Sequence, residues 1–231
     1  MTMKSQKAVL LIGSPKGKNS ASMALGKSLL TALSSRGVTS ETHIIRPALD
    51  SEEKTVAMGE AAERADIVIF SFPLYVDHLP APVIWALERI AERRKESPST
   101  SQPWLVSLTQ SGLGETHQNR PAVETMHRFA DLTGFRWAGG LAMGMGGAMI
   151  GGKPGQRDGM LRNVFRGIDF AADALAEGRP IPDEAVTLLG RKLMPRWLYV
   201  IGGNFGWRQL KRKHAKTKGA KIDLYARPYA E

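Results

Sequence analysis

Short apolar runs alternate with longer amphipathic segments through the first three quarters of the chain. Residues 39–45 alternate as a strand, whereas the other apolar runs lack polar alternation, as expected of parallel strands that are buried on both faces. The predicted strands cover residues 9–12, 39–45, 67–71, 104–108 and 137–143. Apolar residues at helical spacing predict helices over residues 20–36, 52–64, 83–94, 121–132 and 160–177. Repeated β-α units of this kind indicate an α/β fold with helices on both faces of a parallel sheet.

Three polar loops, at residues 13–20, 72–79 and 109–119, each follow a predicted buried strand. The carboxyl ends of parallel strands share one edge of the sheet, and ligands of such folds bind there. The first loop is rich in Gly, Ser, Lys and Asn and leads into a helix N-terminus, which is a good place for a phosphate. An ordinary Ser or Asn helix cap with a solvated lysine is the alternative.

The first loop does not match the common nucleotide-binding motifs. Only three residues separate Gly13 from Gly17, and Lys18 is followed by Asn19, so the loop is not a Walker A motif. No G-x-G-x-x-G motif follows a strand. A monophosphate is therefore favoured over a nucleoside triphosphate or a dinucleotide.

The second and third loops offer a surface for a planar heterocycle. Pro73, Pro80 and Pro82 fix the path of the chain at the second loop, and Tyr75 supplies an aromatic ring, although burial of Tyr75 in the core is an alternative. The third loop supplies small residues and backbone donors suited to the polar edge of a ring. The third loop is not a Gly-x-Ser-x-Gly nucleophile motif, because Thr109 replaces the first glycine of that motif.

The motif at residues 13–20, followed by Pro73-Leu74-Tyr75, resembles the flavodoxin-like, FMN-binding NAD(P)H-dependent oxidoreductases over roughly residues 7–177. The resemblance implies a flavodoxin-like, doubly wound sheet of five parallel strands in the order 2-1-3-4-5, with FMN as cofactor and NAD(P)H as co-substrate. Lys16 stands where arginine is common in that family, so a bidentate phosphate contact is lost.

The same resemblance implies a set of FMN-binding residues. The phosphate would be contacted by Ser14, Lys16, Asn19, Ser20, Ala21 and Ser22. The isoalloxazine ring would be lined by Pro73, Leu74, Tyr75 and Val76, with Gln110, Ser111 and Gly112 at its other edge. Because hydride chemistry belongs to the flavin, no catalytic side chain is assigned.

The chain lacks cysteine and lacks histidines at metal-ligand spacing, and both facts limit the chemistry expected of the protein. The chain has no cysteine, which excludes disulfides, thiolate-held iron–sulfur clusters and cysteine nucleophiles. Its five histidines show no metal-ligand spacing, so no metal site is expected. The absence of cysteine suits a reducing cytoplasm, and we expect a cytoplasmic protein without a signal peptide or a membrane span.

Positive charge is concentrated near the C-terminus. Ten of the 32 lysines and arginines lie between residues 191 and 221, where there is no acid, which leaves 22 bases against 22 acids elsewhere. We therefore predict a flavodoxin-like domain over residues 1–180 and a basic, Trp-containing extension over 181–231. The extension is expected to dock on its own domain or on a partner protomer, with an anionic membrane surface or nucleic acid as alternatives.

The sequence thus predicts an FMN-dependent oxidoreductase that passes hydride from NAD(P)H to flavin, quinone or another small electrophilic acceptor. We expect a homodimer. The neutral body of the chain does not favour a nucleic-acid partner. A non-catalytic, FMN-binding electron carrier or redox sensor is the alternative function. A phosphate-binding fold without flavin is a third, weaker possibility.

Overall fold

A computed structural model describes residues 6–96, 101–150, 159–218 and 223. Its sheet contains five strands in the order β2-β1-β3-β4-β5, and every neighbouring pair is parallel. The strands are β1 (Lys7–Ile12), β2 (Thr39–Ile44), β3 (Ile67–Pro73), β4 (Trp104–Gln110) and β5 (Arg136–Met143). The predicted α/β class and the strand order implied by the resemblance are both confirmed.

Five helices connect or follow the strands near the positions predicted from apolar spacing. They are α1 (Ala21–Ser34), α2 (Glu52–Arg64), α3 (Ala81–Glu96), α4 (Arg120–Thr133) and α5 (Arg162–Ala176). Two further helices, α6 (Asp183–Gly190) and α7 (Arg196–Lys218), lie in the segment for which no secondary structure was predicted. The predicted glycine-rich loop at 144–155 contains a short 3-10 turn at Gly146–Met149, and residues 151–158 lie outside the described part of the chain.

The sheet divides the core into two layers because successive side chains of a strand point to opposite faces. Leu10 and Ile12 of β1 pack in the layer that contains α1, α5 and α6. Val9 and Leu11 of the same strand pack in the layer that contains α2, α3 and α4. Strand β1 is therefore buried on both sides, and its carboxyl end is held at the middle of the sheet.

Helix α6 belongs to the first of two compact units, which covers residues 1–193, beyond the predicted division at residue 180. The Ile181 N–H donates to the Ala138 carbonyl of β5 at 2.8 Å, and Ala185 and Leu189 are fully buried. Gly167 of α5 permits this packing, since a Cβ there would lie 2.8 Å from the Ala185 carbonyl oxygen. The second unit covers residues 194–231 and contains α7.

Arg36, just after α1, joins the C-terminal ends of two helices. Its Nε donates to Oδ1 of Asp173 on α5 at 2.6 Å, and its Nη1 donates to the Ala32 carbonyl at 2.7 Å. The hydrogen bond from Arg36 lowers the pKa of Asp173, and the same contact raises the pKa of Arg36. About half of the Asp173 side chain is exposed, so solvent screening limits what this pair adds to stability.

Candidate functional site

The three loops predicted to bind a ligand lie side by side at the carboxyl edge of the sheet. The Gly13 N–H donates to the Ser71 carbonyl at 2.8 Å, which joins the loop after β1 to the end of β3. The Leu74 N–H donates to the Gln110 carbonyl at 2.8 Å, which joins the loop after β3 to the end of β4. Strands β1 and β3 flank the point at which the strand order reverses. The loops therefore surround the topological switch point, where folds of this kind bind their ligands.

Gly13 allows the first loop to lie close to the second. A Cβ at this position would lie 2.1 Å from Val83 Cγ2, at the start of α3, and 3.0 Å from Phe72 Cβ. Both distances are shorter than normal carbon–carbon contacts. A glycine is thus needed where β1 ends.

The first loop forms a 3-10 turn at Gly17–Asn19 and then enters α1. Gly17 adopts a positive φ of 57°, which favours glycine, and its N–H donates to the Ser14 carbonyl at 2.9 Å. Ser20 is the N-cap of α1: its Oγ accepts from the Met23 N–H at 3.1 Å and donates to the Gly17 carbonyl at 2.7 Å. Ser20 therefore performs the capping role that was the alternative to phosphate binding, at the mouth of the predicted phosphate site.

The other predicted phosphate residues differ in exposure. Lys16 and Asn19 are exposed, whereas Ser14 and Ala21 are buried. Ser22 is fully buried, and its Oγ has no hydrogen-bond partner among the described residues. The loop thus combines an exposed cationic side chain, an exposed amide and an unpaired buried hydroxyl beside the N-terminus of α1.

The second loop contains a strained two-residue turn that the sequence pattern did not reveal. Tyr75 and His78 exchange two backbone hydrogen bonds, of 2.9 and 3.0 Å, around Val76 and Asp77. These central residues have φ values of 48° and 58°, as in a type I′ turn, which normally uses Asn and Gly. A β-branched valine at positive φ is strained, and strain of this kind clusters at functional sites.

The strained turn presents apolar groups to solvent at the ligand edge. Val76 is 99% exposed and Tyr75 is 47% exposed, so Tyr75 is not part of the core. Pro73 and Leu74 behind them are partly buried. The turn therefore offers the apolar and aromatic surface that was predicted for a planar ring.

The third loop is supported by a glycine-rich segment after β5. Gln110 and Ser111 are buried, and Gly112 is exposed. The Gly146 N–H donates to the Ser111 carbonyl at 2.8 Å, and a Cβ at Gly146 would lie 1.8 Å from Gln110 Oε1. The run of glycines in the sequence was the signal for this close packing, but it did not identify the partner loop.

Ser71 and Asn119 support the site but were not identified as site residues from the sequence. Ser71 Oγ donates to the Ser22 carbonyl at 2.8 Å and so ties the end of β3 to the first turn of α1. The buried Asn119 accepts from Thr109 Oγ1 at 3.1 Å and donates to the Thr116 carbonyl at 3.0 Å, which fixes the chain before α4. The described residues contain no cluster of His, Asp or Glu suited to a metal ion.

Comparison with known proteins finds solved structures of similar fold but no matching family model or curated protein. No protein-family model matches the sequence. No curated protein matches it either. An NAD(P)H:quinone oxidoreductase from Methanothermobacter marburgensis is similar in structure, with a TM-score of 0.54 and 18% identity over 74% of this chain and 96% of that one. A flavodoxin from Streptococcus pneumonia TIGR4 has a TM-score of 0.52 and 13% identity over 74% and 99% of the two chains.

The fold is flavodoxin-like. A protein described as flavone reductase agrees, with a TM-score of 0.54 and 11% identity over 76% of this chain and 66% of that one. At these identities the similarity confirms the fold that the sequence resemblance implied. Helix α6 lies in the first compact unit, and α7 lies in the second.

Proposed function

We propose that this protein is an FMN-dependent oxidoreductase that passes hydride from NAD(P)H to a small electrophilic acceptor, such as flavin or quinone. The observation that carries the proposal is the junction of three loops at the switch point, with a helix N-terminus on one side and an exposed apolar turn on the other. The quinone oxidoreductase and the flavone reductase that share the fold support an enzyme of this kind.

The phosphate of FMN would lie at the first turn of α1. The first N–H groups of a helix have no partner within the helix, so those of Ala21 and Ser22 suit an anion. Lys16 would add a positive charge, while Asn19 and the unpaired hydroxyl of Ser22 would add donors. Ser14 and Ser20 would mainly hold the shape of the loop, because Ser20 caps α1 and the Ser14 carbonyl accepts from the Gly17 N–H.

The ring of FMN would lie between the second and third loops. Tyr75 and Val76 would cover it with apolar surface, with Pro73 and Leu74 behind them. Backbone groups of Gln110, Ser111 and Gly112 would face its polar edge. Bound FMN supplies the hydride-accepting chemistry, so the side chains only need to bind, orient and shield it.

Titration of the protein with FMN, followed by quenching of flavin fluorescence, tests the phosphate assignment. Lys16→Ala should weaken binding about tenfold, since a charge-assisted hydrogen bond contributes roughly 1.5–3 kcal/mol. Lys27→Ala removes an exposed base further along α1 and should leave the affinity unchanged. Equal affinity of Lys16→Ala and the wild type would remove Lys16 from the site, and failure of the wild type to bind FMN would refute the proposed function.

The similarity to flavodoxin favours a second candidate, a non-catalytic FMN-binding electron carrier or redox sensor. The two candidates differ in their reaction with free NADPH, because a carrier reacts slowly without its reductase. The expected homodimer and the cytoplasmic location stay predictions, and light scattering of the purified protein tests the former.

A further inference from the structure

Helix α7 exposes a group of large apolar side chains and contains no acidic residue. The group is between 42% and 64% exposed and consists of Trp197, Leu198, Val200, Ile201, Phe205, Trp207 and Leu210. Single apolar residues on a surface are common, but all of these except Leu210 share one half of the helix, and an exposed apolar group of that size marks an interaction site. The proposed oxidoreductase chemistry makes no use of it.

Large apolar residues occupy one side of the N-terminal half of α7, and basic residues occupy the same side of its C-terminal half. At 100° per residue, all the large apolar residues between 197 and 207 except Tyr199 fall within half of the circumference. The three glycines of this stretch lie on the opposite half, and a Cβ at any of them would meet open space. Arg208, Lys211 and Arg212 continue the apolar side into the second half of the helix.

Helix α7 carries a large excess of positive charge. No Asp or Glu occurs between residues 191 and 221, and Arg196, Arg208 and Arg212 are exposed. The rest of the chain contains equal numbers of bases and acids, so it offers no excess negative charge. An anionic partner with an adjoining apolar layer would complement this surface.

We propose that α7 is a membrane-surface anchor that lies flat on a bilayer containing anionic lipid. The large apolar residues of its first half would enter the boundary between headgroups and acyl chains, and the bases of its second half would contact lipid phosphates. The apolar half is about 16 Å long, whereas the hydrocarbon core is about 30 Å thick. Consistent with a surface location, no helix of the described residues is long and apolar enough to cross a membrane.

Two other partners explain the surface less well. A nucleic acid would use the bases and could stack on Trp197 or Trp207, but Leu198, Val200 and Ile201 would gain little from it. A parallel second copy of α7 would cover the apolar residues but bring two basic segments together, and an antiparallel copy would set bases against apolar residues. Anionic lipid offers an apolar layer for the first half of the helix and phosphates for the bases of the second half.

Flotation of the full-length protein with lipid vesicles tests the proposal. Vesicles of phosphatidylcholine alone are compared with vesicles of equal parts phosphatidylcholine and phosphatidylglycerol. The wild type should float with the anionic vesicles only, and added salt should weaken its binding. Absence of binding to the anionic vesicles would overturn the proposal.

Two tail variants, each with a matched control on the body, separate the apolar and basic contributions. The apolar variant is Ile201→Ser with Phe205→Ser, and its control changes exposed apolar residues of α2 and α4, Val56→Ser with Leu132→Ser. The basic variant is Arg208→Gln, Lys211→Gln and Arg212→Gln, and its control is Lys27→Gln, Arg128→Gln and Arg162→Gln. Thermal unfolding of each variant verifies that the body is folded.

The apolar variant should bind anionic vesicles at least about tenfold more weakly, because two buried apolar side chains are lost. The basic variant should bind about 100-fold more weakly, at about fivefold for each of its three bases. Both controls should bind like the wild type. Binding of single-stranded nucleic acid that requires the bases but not Ile201 and Phe205 would overturn the proposal. A change of oligomeric state in the apolar variant without lipid would overturn it too, in favour of a second copy.

Discussion

Replacing Gly13 with alanine should destabilise the protein and weaken FMN binding, and removal of two methyl groups from Val83 should offset part of both effects. The new Cβ would lie 2.1 Å from Val83 Cγ2, where about 3.5–4.0 Å is normal. Val83 is fully buried, and a valine on a helix has one strongly preferred rotamer, so it cannot turn away. The start of α3 must therefore move away from the first loop.

The magnitude follows from the packing. Overpacking costs about 1–3 kcal/mol, and the reduced freedom of the unfolded chain offsets up to about 1 kcal/mol of that. Val83→Ala alone should cost about 2 kcal/mol, because it removes two buried methyl groups and leaves a cavity. In the double variant the methyl group introduced by Gly13→Ala would fill part of that cavity. The loss of stability should then be at least about 1 kcal/mol smaller than the two single losses together.

Equilibrium unfolding in urea measures this coupling, and FMN titration of the same four proteins measures its effect on the site. Gly13→Ala should bind FMN more weakly because the first two loops separate, and the double variant should regain affinity. Stability losses that add within about 0.5 kcal/mol would show that Gly13 and Val83 are not in contact. Such additivity would refute the argument that Gly13 brings the two loops together.

Other predictions concern the remaining loops and the contact between α1 and α5. Val76→Gly should raise the free energy of unfolding by about 1 kcal/mol, because it relieves strain at positive φ, while FMN titration should show weaker binding as the apolar surface is lost. Gly146→Ala should displace Gln110 and lower both stability and FMN affinity, whereas Gly147→Ala, with open space around its Cβ, should change neither. Asp173→Asn should cost about 0.2–1 kcal/mol in urea unfolding at neutral pH. Because the folded-state pKa of Asp173 is lowered, its contribution exists above the unfolded pKa and is lost as pH falls through the folded value, so the variant and the wild type should converge in acid.

The sheet was predictable because its three central strands are buried on both faces and its helices have regular apolar spacing. The sequence of β1 has the pattern of a buried strand and that of α1 has the pattern of a helix. The loop between them lies at the carboxyl edge of the sheet, as the strand order implies. Helix α6 was missed because it is short and its apolar residues follow two prolines, Pro180 and Pro182. Helix α7 was missed because its apolar residues and bases occur in successive halves, which obscures the periodic signal.

The candidate site was predictable in position and less so in geometry. The three loops follow buried strands, so their common edge could be inferred before the structure was known. The turn at Val76 and Asp77 lacks the Asn and Gly that usually indicate positive φ, so the local sequence contains no sign of it. The packing of Gly146 on Gln110 joins the turn after β5 to the end of β4, and the run of glycines in a single sequence does not identify that partner.

Anaerobic titration of the FMN-reconstituted protein with NADPH and with NADH, followed by flavin absorbance, tests the central claim most directly. The account predicts that the protein binds FMN and that at least one of the two nucleotides bleaches the bound flavin within seconds. Bound flavin that stays oxidised with both nucleotides would contradict the oxidoreductase and favour the electron carrier. Failure to retain FMN at all would contradict the assignment of the three loops.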